Sequence, residues 1–228
     1  MTVFPPHYPE EYQRGHVLFL GRKYRVTPDV LIPRLETESL IKRGRSLIKE
    51  KGISTIVDIG SGSGIIGTSL ADISENLSFI DISEEALKIA RYNFESNFPE
   101  KKATFIVSDL LKDFPLNKER ESILFITNLP YIKDADWENM SKDTAYEPKI
   151  ALFGGEKHGF ELYERLFEEI KILKNTYSGN IYILFEFGFD QREIAEQVLM
   201  QYPNWKYHFF ADYAGIERFG EIIIEPVF

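Results

Sequence analysis

From Ser54 onward the chain alternates short apolar runs with amphipathic stretches, and this alternation limits its fold more than any other feature. "STIVDIG" (residues 54–60) is a largely apolar run, as in a strand buried on both faces, and "SGSGIIGTSLAD" turns through glycines into a short helix. "LSFIDIS" reads as the next strand and "EEALKIARYNFESNF" as a helix, with Ala86, Leu87, Ile89, Ala90 and Phe94 at helical spacing and Ser83 as its cap. "ATFIVSDL" and "SILFITN" are two more strands. "GFELYERLFEEIKILKN" is an amphipathic helix, "NIYILFEFG" a strand, "DQREIAEQVLMQY" a helix, and "KYHFFADY" and "EIIIEPVF" close the chain as strands. Strands alternating with helices predict an α/β protein with a mostly parallel sheet covered on both sides.

The start, to about Arg14, has Pro5, Pro6 and Pro9 among aromatic residues without period, and reads as an extended arm. "HVLFLGRKYRV" holds two β-rich runs about Gly21 and Arg22, a hairpin signal. "ETESLIKRGRSLIKEKG" shows helical spacing at Leu40, Ile41, Leu47 and Ile48 and is closed by Gly52. The 228 residues therefore divide into 1–50, an arm, hairpin and leading helix, and 51–228, one α/β domain large enough to bury a true core.

Bulk properties narrow the chemistry. With no cysteine, disulfides, thiolate metal sites and cysteine nucleophiles are excluded, and four scattered histidines lack metal-ligand spacing. No segment has the basic start and apolar run of a signal peptide or the length of a membrane span, so the expected location is the cytoplasm. A net charge of −9 argues against an unaided grip on a nucleic-acid backbone. The basic residues around Arg34, Lys42, Arg43 and Arg45 read as the solvated face of an amphipathic helix.

Ligands in open α/β sheets bind at the carboxyl ends of strands, where the strand order reverses. The first core strand ends in Gly60, Ser61, Gly62, Ser63 and Gly64, where glycine permits a tight turn and close approach of a ligand to the backbone. The spacing is neither that of a dinucleotide loop nor, without Gly-Lys-Ser/Thr, that of a P-loop. Asp81 ends the second strand about 20 residues on, where a carboxylate accepts both ribose hydroxyls of a nucleoside. Asp109 ends the third and is placed to accept from an adenine amino group. Each aspartate alone reads as a cap or turn residue; a glycine loop and two acids on consecutive strand ends together read as a nucleoside site.

The fourth strand ends in Asn128, Leu129, Pro130 and Tyr131. In isolation this is a proline turn. Beside a nucleoside site, the Asn128 side-chain oxygen and the Leu129 carbonyl make two fixed acceptors for both N–H bonds of a planar NH₂ group. Pro130 stiffens the turn and Tyr131 offers a ring face for stacking. Acceptors on both hydrogens localise the nitrogen lone pair, so the reaction suggested is in-line methyl transfer from S-adenosyl-L-methionine, by positioning and electrostatics.

Over about residues 17 to 220 the chain resembles the HemK-type glutamine methyltransferases that act on peptide chain release factors. The resemblance rests on "LIPRLETE" (31–38) for LIPRPETE, "VDIGSGSGIIG", "NLPYI" for NPPYI, "YEPKIALFGGEKHGFELY" for EPxxALxGGxDGL, "EFGFDQ" for E(I/L)GxxQ and "DYAGIERF" for DxxGxxR. It implies a class I, Rossmann-like methyltransferase with a seven-stranded, mostly parallel sheet containing one antiparallel strand. It further implies that residues 60–64 contact the methionine part of S-adenosyl-L-methionine, that Asp81 holds its ribose, that Asp109 and Leu110 flank its adenine, and that residues 128–131 hold the acceptor glutamine, Asn128 also facing the cofactor. The acceptor implied is the GGQ motif of a release factor.

Two departures bear on this reading. Leu129 stands for a proline and brings an extra N–H, and the helical N-terminal domain of the bacterial family is expected to be missing, as in shorter relatives that work with a partner subunit. An adenine amino methyltransferase on RNA or DNA, and a cofactor-binding module without activity, are the alternatives; net acidity favours a protein acceptor. Among the other residues of these motifs, Arg34, Glu36 and Glu38 read either as ordering the loop over the cofactor or as fixing a helix start by ion pairs, and Glu147–Pro148 as the far wall of the acceptor pocket. Glu186 and Gln191 read as a strand-end contact and a helix cap, and Trp137 and Tyr146 as part of a substrate loop.

Overall fold

The computed structural model describes residues 4–115 and 121–226. The first three residues of the arm and the last two of the closing strand segment lie outside the described residues. The arm is not wholly extended as expected: it contains a short helix, α1 (Glu10–Arg14), ended by Gly15 in the left-handed region at φ 70°. The hairpin follows as β1 (His16–Phe19) and β2 (Arg22–Arg25). Its two-residue turn is Leu20–Gly21, with φ 46° and 75°, one residue earlier than the sequence placed it. Both central residues are left-handed because that turn's twist matches the twist of the strands it joins.

The leading helix α2 (Thr37–Lys51) is capped by Gly52 at φ 62°. The core then runs β3 (Thr55–Ile59), α3 (Ile65–Leu70), β4 (Asn76–Asp81), α4 (Glu84–Asn97), β5 (Thr104–Val107) and β6 (Ile123–Thr127). After a connection containing a small parallel pair, β7 (Ile132–Lys133) with β8 (Phe153–Gly155), come α5 (Glu161–Lys174), β9 (Ile181–Glu186), α6 (Arg192–Leu199), β10 (Lys206–Ala211) and β11 (Glu217–Ile224). Ser83 caps α4 as expected, accepting from the Ala86 N–H at 3.2 Å.

The seven strands are ordered β10-β11-β9-β6-β3-β4-β5. All neighbours are parallel except those of β11, which runs antiparallel to both β9 and β10. This is the expected seven-stranded, mostly parallel sheet with a single reversed strand. Strands β6 and β9 are buried at every position, as strands covered on both faces must be. One core cluster packs α5 and α6 against one face; the other packs α2, α3, α4 and the hairpin residues Phe19 and Tyr24 against the opposite face. Gly44 lets α2 sit close on the sheet: a Cβ there would lie 3.2 Å from Ile126 Cδ1. The leading helix and hairpin thus share the core of the sheet that follows them. A third, smaller cluster of Tyr12, Val26, Val30, Ile32, Ala86 and Ile89 seats the segment after the hairpin over the start of α4, and the Tyr12 hydroxyl donates to the Val30 carbonyl at 2.6 Å.

Candidate active site

Strand order reverses beside β3, whose neighbours β4 and β6 are reached by crossovers in opposite directions. A cavity of about 900 Å³ opens there at the carboxyl ends of β3, β4, β5 and β6, bounded on its far side by the segment from Asp29 to Arg34. That is where an open α/β sheet binds its ligand.

The β3–β4 end of the cavity is built mainly of backbone. Gly60 and Gly62 take left-handed φ values of 65° and 50°, and a Cβ on Gly60 would lie 2.8 Å from Leu129 Cδ2. The Gly62 N–H donates to Asp81 Oδ2 at 2.8 Å and the Ser83 N–H to Asp81 Oδ1 at 2.9 Å. Each Asp81 oxygen has thereby accepted one hydrogen bond and retains capacity for another. Burial raises the Asp81 pKa, opposed by these N–H donors. Ser61 Oγ is buried at the cavity wall without a hydrogen-bond partner among the described residues. Ser63 lines the cavity too, whereas Gly64 does not: at φ 74° it passes under α4, where a Cβ would meet Ala90 at 2.9 Å. Behind the loop Asp58 is fully buried, its Oδ2 accepting from the Gly67 N–H at 2.8 Å, and desolvation pushes its pKa up to about 8.

Asp109 and Leu110 also line the cavity. Asp109 Oδ2 takes both Lys112 at 2.5 Å and Arg165 at 2.6 Å; Lys112 first and then Arg165 hold its pKa below the usual range against some desolvation. Leu110 adopts φ 56°, a left-handed conformation that costs a side-chain-bearing residue roughly 1–2 kcal/mol. Backbone strain of this kind clusters at ligand sites.

The opposite end is made by the turn after β6. Asn128, Leu129 and Pro130 line the cavity. Tyr131 is not among the lining residues: its ring packs against the core cluster, where burial first and then the Glu186 carboxylate raise its hydroxyl pKa. The additional N–H of Leu129 has a partner, donating to the buried Tyr163 hydroxyl at 2.9 Å, and that hydroxyl in turn donates to the Glu186 carbonyl. The glycines of "FGGEKHG" make room for this turn. A Cβ on Gly154 would lie 2.4 Å from the Pro130 carbonyl, and one on Gly159 2.1 Å from the Tyr131 carbonyl. Gln191, read from sequence as a helix cap, clamps the same turn, its Nε2 donating to the carbonyls of Tyr131 at 2.8 Å and His158 at 2.7 Å.

Asn128 Nδ2 donates to Thr37 Oγ1 at 3.4 Å, and Thr37 Oγ1 donates to Glu186 Oε2 at 2.8 Å. Asn128 Oδ1 and the Leu129 carbonyl accept no hydrogen bond among the described residues. Glu147 is buried and ties the cavity's bounding segment, accepting from the Ile32 N–H at 2.9 Å and pairing with Arg34. Glu147 and Pro148 are not themselves lining residues; Lys149, Ile150 and Ala151 form that wall, with Trp137 beside them. Tyr146 lies outside it, its hydroxyl donating to the Pro6 carbonyl at 3.0 Å. Glu36 and Glu38 make ion pairs near the start of α2, to Arg218 at 3.9 Å and Lys42 at 3.5 Å. Sequence reasoning missed Thr37 and Tyr163 entirely. Both stood inside quoted motifs, but nothing local to either predicts its partners.

The family profile "Methyltransferase small domain" matches residues 40–144. The chain is 36% identical over 225 residues to the release factor glutamine methyltransferase of Bacillus anthracis, covering 94% of this chain and 76% of that protein. It is 33% identical to the corresponding protein of Staphylococcus aureus, covering 92% and 74%. Among solved structures, the E. cuniculi Mtq2–Trm112 complex, responsible for methylation of the translation termination factor eRF1, superimposes with a TM-score of 0.55 at 18% identity, covering 87% of this chain and 99% of that one, which bears on the fold alone. With more than a third of its residues identical across nearly its whole length, this chain belongs to the family of release factor glutamine methyltransferases.

Proposed function

We propose that the protein transfers a methyl group from S-adenosyl-L-methionine to the side-chain amide nitrogen of a glutamine in a peptide chain release factor. The observation that carries this reading is the pair of unspent acceptors, Asn128 Oδ1 and the Leu129 carbonyl, in the wall of the cavity that also holds Asp81 and Ser61.

The residues present fit that cofactor. Asp81 keeps lone pairs for the ribose hydroxyls, and Ser61 Oγ is a buried polar atom that needs a partner. Gly60 and Gly62 leave the loop backbone open to the methionine portion, and Asp109 Oδ1 with the strained Leu110 suits the adenine edge. When bound, the cofactor would supply an electrophilic methyl on sulfur; the acceptor nitrogen would take it with loss of the sulfur–carbon bond and would then give up a proton to water.

The chain's part is positioning. Asn128 Oδ1 and the Leu129 carbonyl accept the two N–H bonds of the acceptor amide and draw its lone pair out of conjugation, toward the methyl. Pro130 and the Gln191 clamp hold the turn still, and the Tyr163 bond to the Leu129 N–H does for leucine what a proline ring would do by removing the donor. That satisfied N–H weighs against an inactive binding module.

Purified chain, labelled cofactor and a release factor containing GGQ test the reading. Label on the GGQ glutamine is the expected result. Label on RNA or DNA alone would replace it with the adenine alternative. Cofactor binding without transfer until a second subunit is added would make this chain one half of an enzyme, as in the E. cuniculi complex.

A further inference from the structure

An asparagine amide is nearly symmetric in shape and opposite in function at its two ends. For Asn128 to accept hydrogens from an incoming amide, its oxygen must face the cavity and its NH₂ must face the protein. Rotation by half a turn would present donors to a donor and abolish the clamp.

The surroundings decide the matter by counting hydrogens. Glu186, 1% exposed at the end of β9, has no hydrogen to donate while ionised, and it takes the single hydroxyl hydrogen of Thr37 at 2.8 Å. Thr37 Oγ1 then has only lone pairs to offer, and the atom of Asn128 within reach at 3.4 Å must be a donor, Nδ2. The order of donors and acceptors is fixed from the carboxylate outward, and it leaves Oδ1 for the acceptor. We propose that Glu186 and Thr37 are positioning residues for methyl transfer, which set the orientation of the Asn128 amide and thereby its ability to accept from the substrate; the inference rests on the role given to Asn128 above.

Protonation reverses the order. A neutral Glu186 carboxyl is itself a donor to Thr37 Oγ1, which frees the threonine hydrogen to point at Asn128 and favours the unproductive rotamer. Burial raises the Glu186 pKa to about 7, opposed by Thr37 and then by Arg218, with Glu36 raising it again and the Asn128 amide, as a donor, lowering it. The groups facing this carboxylate are Thr37 and Glu36 at the start of α2, Asn128 and Tyr131 after β6, and Arg218 on β11; from α5 the Tyr163 hydroxyl takes its main-chain carbonyl. Burial first and then the Glu186 carboxylate push the Tyr131 hydroxyl well above neutrality, whereas burial brings Glu186 itself to about 7. Transfer is lost as pH falls through about 7, because the ionised form enforces the productive orientation.

The experiment measures kcat, KM for the release factor and cofactor Kd for the wild type, Thr37→Val, Thr37→Ser and Glu186→Gln between pH 5.5 and 9. Thr37→Val is expected to lower kcat by roughly tenfold or more with cofactor Kd within about threefold, and Thr37→Ser to recover most of the loss because it keeps the hydroxyl. Glu186→Gln is expected to lower kcat and to lose the acid limb near pH 7. An unchanged kcat in Thr37→Val, a loss of cofactor binding in proportion to kcat, or an acid limb that persists in Glu186→Gln would each overturn the inference while leaving the function standing. Should Thr37→Val fail to fold, the Glu186→Gln profile decides alone. A wild type that transfers nothing to the release factor overturns the functional reading and this inference with it.

Discussion

The two ends of the cavity are built on opposite plans. At the β3–β4 end the contacts are backbone amides to nearby carboxylates: Gly62 to Asp81, Ser83 to Asp81 and Gly67 to Asp58, spanning 19, 2 and 9 positions. At the β6 end the contacts join distant segments, side chain to side chain from Asn128 to Thr37 and Thr37 to Glu186, and from the Ile32 N–H to the Glu147 carboxylate, spanning 91, 149 and 115 positions. The β3–β4 end is a supersecondary unit that carries its own geometry. The β6 end is a turn whose contacts exist only when the leading helix, β6 and β9 have come together.

If the two ends are separable, Asn128→Ala should cut methyl transfer by about 100- to 1000-fold while cofactor Kd, followed by isothermal titration, moves by less than about threefold. A collapse of Kd on the same scale would show one site rather than two. Asp81→Ala should do the reverse, raising cofactor Kd by roughly tenfold or more and leaving kcat at saturating cofactor far less affected, since charged hydrogen bonds contribute about 1.5–3 kcal/mol. Steady-state kinetics at several cofactor concentrations checks the split.

Smaller effects probe what holds the acceptor end. Tyr163→Phe strands the buried Leu129 N–H and should lower unfolding free energy by about 1–3 kcal/mol in urea titrations. In a Leu129→Pro background, where there is no N–H to strand, the same change should cost less; equal costs in both backgrounds would mean that the bond does not hold the turn. The buried Asp58 gives the mildest contrast. Its folded pKa, about 8, lies above the ordinary 3.8, so the folded state holds the proton more tightly, and this contribution to stability is lost as pH rises from about 4 through about 8. Asp58→Asn removes the titration, and the stability of variant relative to wild type should increase between pH 5 and pH 8, measured by urea midpoints.

Much of this molecule was legible in the chain. The apolar run at "STIVDIG" marked a strand covered on both faces and "SILFITN" a further strand, and the glycines after the first core strand with the acids at the ends of the next two marked where the cavity would be. What escaped was short or distant. Helix α1 has five residues and the β7–β8 pair two and three, too few for a periodicity to show. Leu20 entered a left-handed turn that no leucine advertises. Tyr131 was read as a stacking surface in the pocket, but core contacts took its ring away from the lining. Glu186 and Gln191 were read by their immediate neighbours, as a strand end and a cap, whereas their partners lie across the sheet.

The sequence by itself therefore determined the strand-and-helix alternation, the glycine loop, the acids at strand ends and the Asn-Leu-Pro-Tyr turn after β6, because each depends on residues within one or two elements of each other. Only the tertiary structure decided what the Asn128 Nδ2 meets, what receives the Leu129 N–H and which wall the segment from Asp29 to Arg34 supplies. Those outcomes depend on donors and acceptors from segments up to 149 positions apart, and a hydrogen bond between them has no signature until folding brings its two atoms within about 3 Å.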